Sequence, residues 1–209
     1  TGIRSILRIK KNTNIPIDRI KSINVGTTIA TNALLENKGD NTLLLTTEGF
    51  GDSLEIGYQS RPKLFDLNIK KNKMLYTKVV EVEERIDVNG KIIKKLDLKK
   101  EKQKILKVLN SQNLGIKSIA INLMHAWKYP NHEIQLLKLL KEIGFNEVSS
   151  GHDISPTIKF IKRGDTTVLN AYLSPIVSRD ISNLRHALFG KWDKKLDNEK
   201  LKINYMQSN

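Results

Sequence analysis

The sequence contains no cysteine, and aromatic residues make up only 6% of its 209 positions. The absence of cysteine excludes disulfide bonds, thiolate zinc sites and cysteine nucleophiles, and it fits a reducing compartment. No apolar run approaches the roughly 20 residues that span a bilayer, and no signal-peptide pattern opens the chain. An apolar content of 39% is nevertheless enough for one large domain or two small ones, each with a core. These features predict a globular, cytoplasmic protein with no membrane partner.

Basic residues are abundant, but arginine is scarce among them. Only eight of the 36 basic residues are arginine, and the formal net charge is +14. Such a charge attracts nucleic acid, but bidentate recognition of phosphate and guanine favours arginine over lysine. The lysines are scattered along the chain and accompany abundant asparagine and isoleucine, which indicates the compositional bias of an AT-rich genome. We therefore expect no nucleic-acid partner, and a basic nucleic-acid-binding domain is the weakest of the functional hypotheses.

A strand-to-helix turn at Gly26, Thr27 and Thr28 is the first local feature that suggests a binding site. Residues 23–25 form a short apolar strand, Gly26 allows a sharp turn, and either threonine can cap the helix that follows. Free amides at a helix start bind anions, and Asn32 lies one turn beyond Thr28. Thr27, Thr28 and Asn32 are therefore candidate contacts for phosphate or substrate, although capping and packing explain the same residues.

The rest of the chain alternates predicted strands and helices. Strands are expected at 42–45, 118–124 and 147–149, and a hairpin around Asn89-Gly90 joins 79–86 to 91–96. Helical segments are expected within 50–56, over 97–112, from Pro130 to Gly144, and from Pro156, capped by Ser155, to about Leu188 with interruptions at Gly164 and Pro175. This order predicts an α/β fold with a mixed sheet, crossover helices and one β-hairpin.

Two predicted regions follow from this pattern. Residues 1–188 form one domain that is incomplete at its start, and residues 189–209 form a charged connector and the first strand of a missing following domain. The chain begins at Thr1 rather than methionine, and it ends as Leu201 to Tyr205 starts an apolar strand. Both ends are therefore expected to lie inside a longer polypeptide.

Several collinear segments resemble the N-terminal region of the hydantoinase A and 5-oxoprolinase family, and most closely the bacterial ATP-dependent 5-oxoprolinases. The segments that carry the resemblance are 24–66, LYTKVVEVEERIDVNGKII (75–93), INLMHAWKYPNHE (121–133), GHDISP (151–156), RGDTTVLNAYLSP (163–175) and YMQSN (205–209). They cover almost the whole chain in family order. The resemblance implies a fold like the N-terminal part of an actin-like ATPase.

The resemblance also implies an activity, the ATP-dependent hydrolysis of a cyclic amide such as 5-oxoproline, which yields glutamate, or of a hydantoin. Complete family members use ATP and Mg²⁺, but their phosphate loops lie upstream and downstream of the segment present here. The isolated chain is therefore expected to bind neither tightly and to be inactive alone. Its implied partner is the complementary C-terminal ATPase or hydantoinase part, on the same or a separate polypeptide. The alternative is a non-catalytic remnant or an interaction module.

Further candidate site residues lie in a polar loop and near the ends of predicted elements. Arg61 and Asp66 occupy the loop, where Arg61 can clamp a carboxylate such as that of 5-oxoproline or pair with Asp66. His125 ends a buried strand, where α/β sheets often place chemistry, but a structural histidine fits as well. Arg163 either lines a cleft or belongs to a solvated face or an ion pair. The histidine spacing matches no metal motif, so no metal site is expected in this chain.

Overall fold

The structure is a computed structural model, and it describes residues 5–6, 8, 10, 20–59, 73–110, 114–189 and 202–207. The chain divides into two compact units. The smaller unit combines Thr1–Glu36 with Ile176–Asn209, and the larger unit is Asn37–Pro175. The domain boundary expected at residue 188 differs from this division and stays a prediction.

The described strands and helices alternate along most of the chain. The strands are β1 (Ser22–Thr27), β2 (Thr42–Thr47), β3 (Lys78–Val82), β4 (Arg85–Ile86), β5 (Ile92–Lys94), β6 (Ser118–Asn122), β7 (Val148–Ser150) and β8 (Lys202–Gln207). The helices are α1 (Ile29–Leu35), α2 (Ser53–Ile56), α3 (Leu98–Asn110), α4 (Asn131–Glu142), α5 (Gly151–Ile154) and α6 (Phe160–Phe189). In the part of the chain described, no helix is long and apolar enough to cross a membrane.

The smaller unit contains a parallel pair of strands from the two ends of the chain. β1 and β8 run side by side from Ser22 opposite Lys202 to Thr27 opposite Gln207. The Nδ2 of Asn204 donates a hydrogen bond of 2.9 Å to the Oδ1 of Asn24 across this pair. The apolar strand predicted at 201–205 is therefore present as β8. Whether it begins a following domain stays a prediction.

The larger unit is built on a four-stranded sheet in the order β3-β2-β6-β7, and every neighbouring pair is parallel. The two central strands, β2 and β6, are buried at every residue. Strands covered on both faces read as continuous apolar runs rather than as alternating patterns. This explains why TLLLTT and SIAIN carry so few charged residues.

Helices cover both faces of this sheet because successive strand residues point to opposite sides. On one face Leu43 and Leu45 of β2 belong to the large core cluster, which also contains Ile105 of α3 and Leu136 of α4. On the other face Leu44 joins a smaller cluster, whose members from α2, β6 and α6 are Leu54, Ala120, Val168 and Ala171. The larger unit is thus a three-layer α/β structure.

The α/β class, the crossover helices and the single hairpin are confirmed. Among the described strands, antiparallel pairing is confined to this hairpin, outside the four-stranded sheet, whose neighbouring strands are all parallel. The segment 79–86, predicted as one strand, divides in two: β3 joins the parallel sheet, the chain leaves it at Glu83, and only β4 pairs with β5. Glu84 is fully buried at this break and binds a histidine, which is why the alternation of apolar and polar residues fails there.

The helix boundaries predicted near Pro156 are wrong. Ser155 follows the short helix α5 rather than capping a long one, and α6 begins only at Phe160. The connecting segment is held by a buried arginine, since Nη1 of Arg163 donates a hydrogen bond of 2.7 Å to the carbonyl of Thr157. The interruptions predicted at Gly164 and Pro175 are also wrong, because α6 is continuous through both.

Gly164 lets α6 approach the end of β6 closely, and we expect Gly164→Ala to destabilise the protein. An added Cβ would lie 2.6 Å from the Nδ2 of Asn122 and 2.6 Å from the Cδ2 of Leu54. Overpacking of this kind costs about 1–3 kcal/mol of unfolding free energy, which outweighs the better helix propensity of alanine. Urea unfolding followed by circular dichroism measures the change. Thr166→Ala, at an exposed position on the same helix, is the control, and equal stability of the two variants would contradict the prediction.

Candidate functional site

Polar side chains collect at the carboxyl-terminal edge of the parallel sheet in the larger unit. β2 ends at Thr46 and Thr47, β6 ends at Asn122, and β7 ends at Ser150; all four residues are buried. In open parallel sheets this edge is where ligands bind, because loops and helix starts converge there. This edge is therefore the candidate site.

Among the described residues, Arg163 of α6 has the largest side chain that is completely buried. Its Nε donates to the Oδ1 of Asn122 at 3.0 Å, and its Nη2 donates to the carbonyl of Leu123 at 2.8 Å. Together with the bond to Thr157, all three guanidinium nitrogens donate to protein oxygens. Burial lowers the pKa of Arg163, and the Glu133 carboxylate opposes this shift. Arginine nevertheless stays charged, since its ordinary pKa is so high.

Glu133, in the first turn of α4, binds the same strand end from another direction. Its Oε1 accepts a hydrogen bond of 2.8 Å from the amide of Leu123. Its Oε2 accepts the amide of His152 at 2.9 Å and lies 2.8 Å from the Nδ1 of that histidine. Leu123 is therefore held at both of its backbone polar groups, its amide by a buried carboxylate and its carbonyl by a buried guanidinium.

His132, the neighbour of Glu133, belongs to a second buried network. Its Nδ1 lies 2.7 Å from the Oε2 of Glu84, and the Oε1 of Glu84 accepts a short hydrogen bond from the hydroxyl of Thr47. The same hydroxyl accepts the amide of Met124 at 2.9 Å. The consecutive residues His132 and Glu133 thus join α4 to two different parts of the sheet edge, and both networks end on the backbone at Leu123 and Met124.

The turn after this fixed strand end contains His125, one of the candidate site residues. Its φ is +60°, a left-handed conformation that is uncommon for a residue other than glycine, although histidine is enriched there. Its carbonyl accepts hydrogen bonds from the amides of Lys128 and Tyr129. No hydrogen bond joins its ring to another described residue. Residues in such backbone conformations concentrate at functional sites, so His125 keeps its place as a candidate.

The other candidate residues are distributed as follows. Arg163 lies at the same sheet edge as His125, but its nitrogens bind protein oxygens, so its role there is to fix the backbone. Thr27, Thr28 and Asn32 belong to the smaller unit: Thr27 Oγ1 accepts the amide of Ile29 at 3.2 Å, and Asn32 Nδ2 donates to Thr28 Oγ1 at 3.4 Å. Thr27 therefore binds an amide at the helix start, whereas Thr28, the N-cap residue, makes no capping hydrogen bond with its side chain. A phosphate role stays a prediction. Arg61 and Asp66 lie outside the described residues.

The sequence patterns did not identify the side chains that hold the sheet edge together. These are two carboxylates, Glu84 and Glu133, and the hydroxyl of Thr47, all of them buried and none predicted as a site residue. Two signals were available: the interrupted alternation at Glu84, and the His-Glu pair at the helix opening. Neither signal identified its partner, because Thr47, Glu84 and His132 are separated by 37 and 48 residues along the chain.

A cleft of about 410 Å³ lies at the opposite, amino-terminal edge of the sheet. Its lining includes Asn41 and Thr77, which immediately precede β2 and β3, and the tyrosines 76 and 172. Burial, followed by the nearby carboxylates of Glu55, Asp165 and Asp52, raises the pKa of Tyr76. This cleft is separate from the buried networks. Among the described residues, no group of three or more histidines and carboxylates is placed to hold a metal ion.

Comparison with known proteins identifies the family. The family model for the hydantoinase/oxoprolinase N-terminal region matches residues 1–144. The chain therefore belongs to the hydantoinase/oxoprolinase family, as the sequence motifs predicted.

Individual relatives agree with this assignment. The chain is 39% identical over 209 residues to a 5-oxoprolinase of Dictyostelium discoideum, covering 87% of this chain and 16% of that protein. It is 37% identical over 231 residues to 5-oxoprolinase 1 of Arabidopsis thaliana, covering 99% of this chain and 18% of that protein. The chain thus spans less than a fifth of the length of these relatives.

A solved structure shows the same fold. The crystal structure of the ATP-dependent caprolactamase from Pseudomonas jessenii matches with a TM-score of 0.73 and 26% identity. The match covers 99% of this chain and 29% of the caprolactamase chain. The α/β fold of the chain is therefore also the fold of the matched part of that caprolactamase.

We expect Arg163→Lys to destabilise the larger unit. A lysine has one nitrogen on a flexible stem and cannot reach the three acceptors that the planar guanidinium binds together. Breaking a buried charged network costs about 3 kcal/mol of unfolding free energy. Urea unfolding checks this value. Lys162→Ala, at the exposed position beside it, is the control and should change stability by about 0.5 kcal/mol or less. A loss for Arg163→Lys no larger than that of the control would contradict the structural role.

The pKa of His152 should lie above its ordinary value of 6.5, because the hydrogen bond to Glu133 raises the pKa and burial opposes this shift only in part. A raised pKa in the folded state means that protonated His152 stabilises the protein below pH 6.5, and that this stabilisation is lost as the pH rises through the raised value. NMR titration of the imidazole measures the pKa directly. The wild type should also lose its stability advantage over His152→Gln as the pH rises.

The matched control for this titration is Glu133→Gln, which removes the largest cause of the shift. It should lower the pKa of His152 relative to the wild type. A wild-type pKa at or below 6.5, or an unchanged pKa in Glu133→Gln, would contradict the assignment.

Proposed function

We propose that this chain supplies the N-terminal region of an ATP-dependent cyclic-amide hydrolase that opens 5-oxoproline to glutamate or hydrolyses a hydantoin. The observation that carries the proposal is the match to 5-oxoprolinases over 87% and 99% of the chain but only 16% and 18% of their length. A caprolactamase of the same fold supports the same substrate class, because caprolactam is also a cyclic amide. The reaction would take place in the cytoplasm.

The chemistry explains why such an enzyme needs ATP. Amide resonance makes the carbonyl carbon of a lactam a poor electrophile. Transfer of the γ-phosphoryl group to the lactam oxygen gives an activated carbon and releases ADP. Water then adds to this carbon and the ring C–N bond breaks, with the ring nitrogen taking up a proton, which leaves an acyl phosphate. A second water cleaves the acyl phosphate to the carboxylate and inorganic phosphate. The products are glutamate, ADP and phosphate.

Within this scheme the larger unit contributes a rigid sheet edge. Arg163 and Glu133 fix the backbone of Leu123, and Thr47 fixes that of Met124, so the turn that begins at His125 is held in one position. Preorganised backbone and side-chain groups are what a site needs to stabilise charge that develops during reaction. We propose that His125 contacts substrate or phosphate and that Arg61 binds the substrate carboxylate, with Asp66 positioning it. Thr27, Thr28 and Asn32 are proposed phosphate contacts of the smaller unit.

The two buried carboxylates of the sheet edge, Glu84 and Glu133, do not by themselves fit a site for Mg²⁺. The four oxygens of Glu84 and Glu133 are all engaged by donors from the protein or by histidine nitrogens. Mg²⁺ is usually bound by one or two carboxylates together with substrate phosphates and water. We therefore propose that the nucleotide and its metal are held mainly by the remaining part of the enzyme, and that the isolated chain is not catalytically competent.

The test is turnover by this chain with and without a complementary polypeptide. The complement is the D. discoideum 5-oxoprolinase from which the segment matched by this chain has been deleted. We expect no release of ADP and glutamate from ATP and 5-oxoproline by either part alone, and release by the mixture. Coupled assays for both products measure this outcome.

A chimera, in which this chain replaces the matched segment of the same relative, removes the need for the parts to associate. Activity of the chimera supports the proposal. Turnover by the isolated chain would contradict the claim that it lacks a complete ATP site. An inactive chimera that folds would favour the alternative, a non-catalytic remnant or interaction module.

A further inference from the structure

The hairpin formed by β4 and β5 exposes three large apolar side chains. Val88 is 66% exposed, Ile92 is 53% exposed and Ile93 is 66% exposed. Single exposed apolar residues are ordinary on protein surfaces, but a contiguous group marks an interaction site more often. Here all three lie within six consecutive positions of one hairpin, so the hairpin as a whole is an uncovered apolar surface.

Both faces of β5 are uncovered. Ile92 and Ile93 are consecutive in the strand, so their side chains point to opposite sides, and both are more than half exposed. In β4, by contrast, Ile86 is only 3% exposed and packs inward. β5 pairs with β4 alone in the sheet to which it belongs, and no described strand lies along its other edge. Within the described part of the chain, the backbone groups along this edge are therefore not paired with another strand.

The hairpin is nevertheless held firmly in place. The Oδ1 of Asp87 accepts the amides of Asn89 and Lys91 at 2.9 and 2.8 Å, which fixes the turn. The ring of Tyr129 packs so closely on Gly90 that an added Cβ would lie 2.6 Å from it. A two-stranded hairpin has little stability of its own, and these contacts attach it to the larger unit. An apolar surface held in one conformation can bind a partner with little loss of entropy.

The charge around this surface indicates what kind of partner fits it. Lysines stand at positions 91, 94 and 95, and all three are exposed. Lys94 pairs with Glu48 at 2.6 Å and with Glu83 at 3.3 Å, and the Asp87 carboxylate accepts backbone amides. Among the described residues, Lys91 and Lys95 have no such ion pair, so they supply the positive charge of this edge. A second copy of the chain would bring the same lysines to the same edge, and its net charge of +14 would repel the first copy. The charge therefore favours a partner with carboxylates near its apolar residues.

We propose that the outer edge of β5, together with Val88, Ile92 and Ile93, is the docking surface for the remaining polypeptide of the enzyme. The partner segment is extended, adds to the edge of β5 and carries apolar side chains flanked by carboxylates. The inference rests on the proposed function, because it requires that this chain works with a further polypeptide. The 5-oxoprolinase relatives have that polypeptide, since the chain spans only 16% and 18% of them.

The absence of cysteine provides a direct test. Ile92→Cys and Ile93→Cys each place the only thiol of this chain on the proposed surface, so maleimide labelling of this chain, read by mass spectrometry apart from the complement, reports on that position alone. Ile158→Cys is the matched control, because Ile158 belongs to the same unit and is 68% exposed, close to the value for Ile93. Labelling rates are measured for the isolated chain and after addition of the D. discoideum complement, with association followed by analytical ultracentrifugation.

We expect the complement to slow labelling at positions 92 and 93 by about tenfold or more and to leave position 158 within about twofold, as burial of a surface in an interface requires. Association without protection at 92 and 93, or equal protection at all three positions, would overturn the proposal. Protection that increases with the concentration of the isolated chain would also overturn it, because the occupant would then be a second copy.

The three cysteine substitutions can also be made in the chimera of this chain with the D. discoideum relative. This version of the test applies even when the separate chain and complement do not associate. Mass spectrometry quantifies labelling at each position. Protection at 92 and 93 in an inactive chimera supports the docking surface while contradicting the proposed function. Activity with full exposure of both positions contradicts the docking surface alone.

Discussion

The larger unit depends on the way two buried, oppositely charged side chains hold one residue, Leu123. Glu133 of α4 binds its amide and Arg163 of α6 binds its carbonyl. Burying a charge is costly unless its hydrogen bonds are satisfied, and here both groups are satisfied by the end of β6 and its surroundings. The helices on the two faces of the sheet are thereby fixed to the same point, and small residues make this possible. A Cβ at Gly164 would collide with Asn122 at 2.6 Å, and a Cβ at Gly151 would make tight contacts of 3.2 Å with Arg163 and Asn122.

The fixed sheet edge and the exposed apolar surface lie in different parts of the larger unit. At the carboxyl-terminal edge of the sheet, the charged side chains form hydrogen bonds with backbone groups. They therefore position the turn at His125 and are not available to bind a ligand. The hairpin is anchored but exposes apolar side chains. A firm core with an uncovered surface agrees with the proposed role as one region of a larger enzyme, and the chain spans only 16% of the D. discoideum 5-oxoprolinase.

Much of the fold was predictable because it depends on local patterns. The apolar runs at 42–45 and 118–124 predict buried strands, and Asn89-Gly90 predicts the hairpin. The predictions failed where a distant partner decides the local structure. Nothing near Pro156 shows that the following residues stay non-helical, because the carbonyl of Thr157 is held by Arg163 of the next helix. Glu84 likewise breaks the strand pattern because its partner, His132, lies 48 residues away.

Motifs, apolar periodicity and turn residues were enough to predict the family, the α/β class and the order of the elements. The same patterns made His125 and Arg163 candidate site residues. The role of Arg163 became clear only from the fold, in which its guanidinium is buried and its three nitrogens bind protein oxygens. The fold also showed that β5 is uncovered on both faces. The physical reason is the same in both cases, because burial and hydrogen-bond partners depend on segments that meet only in the folded chain.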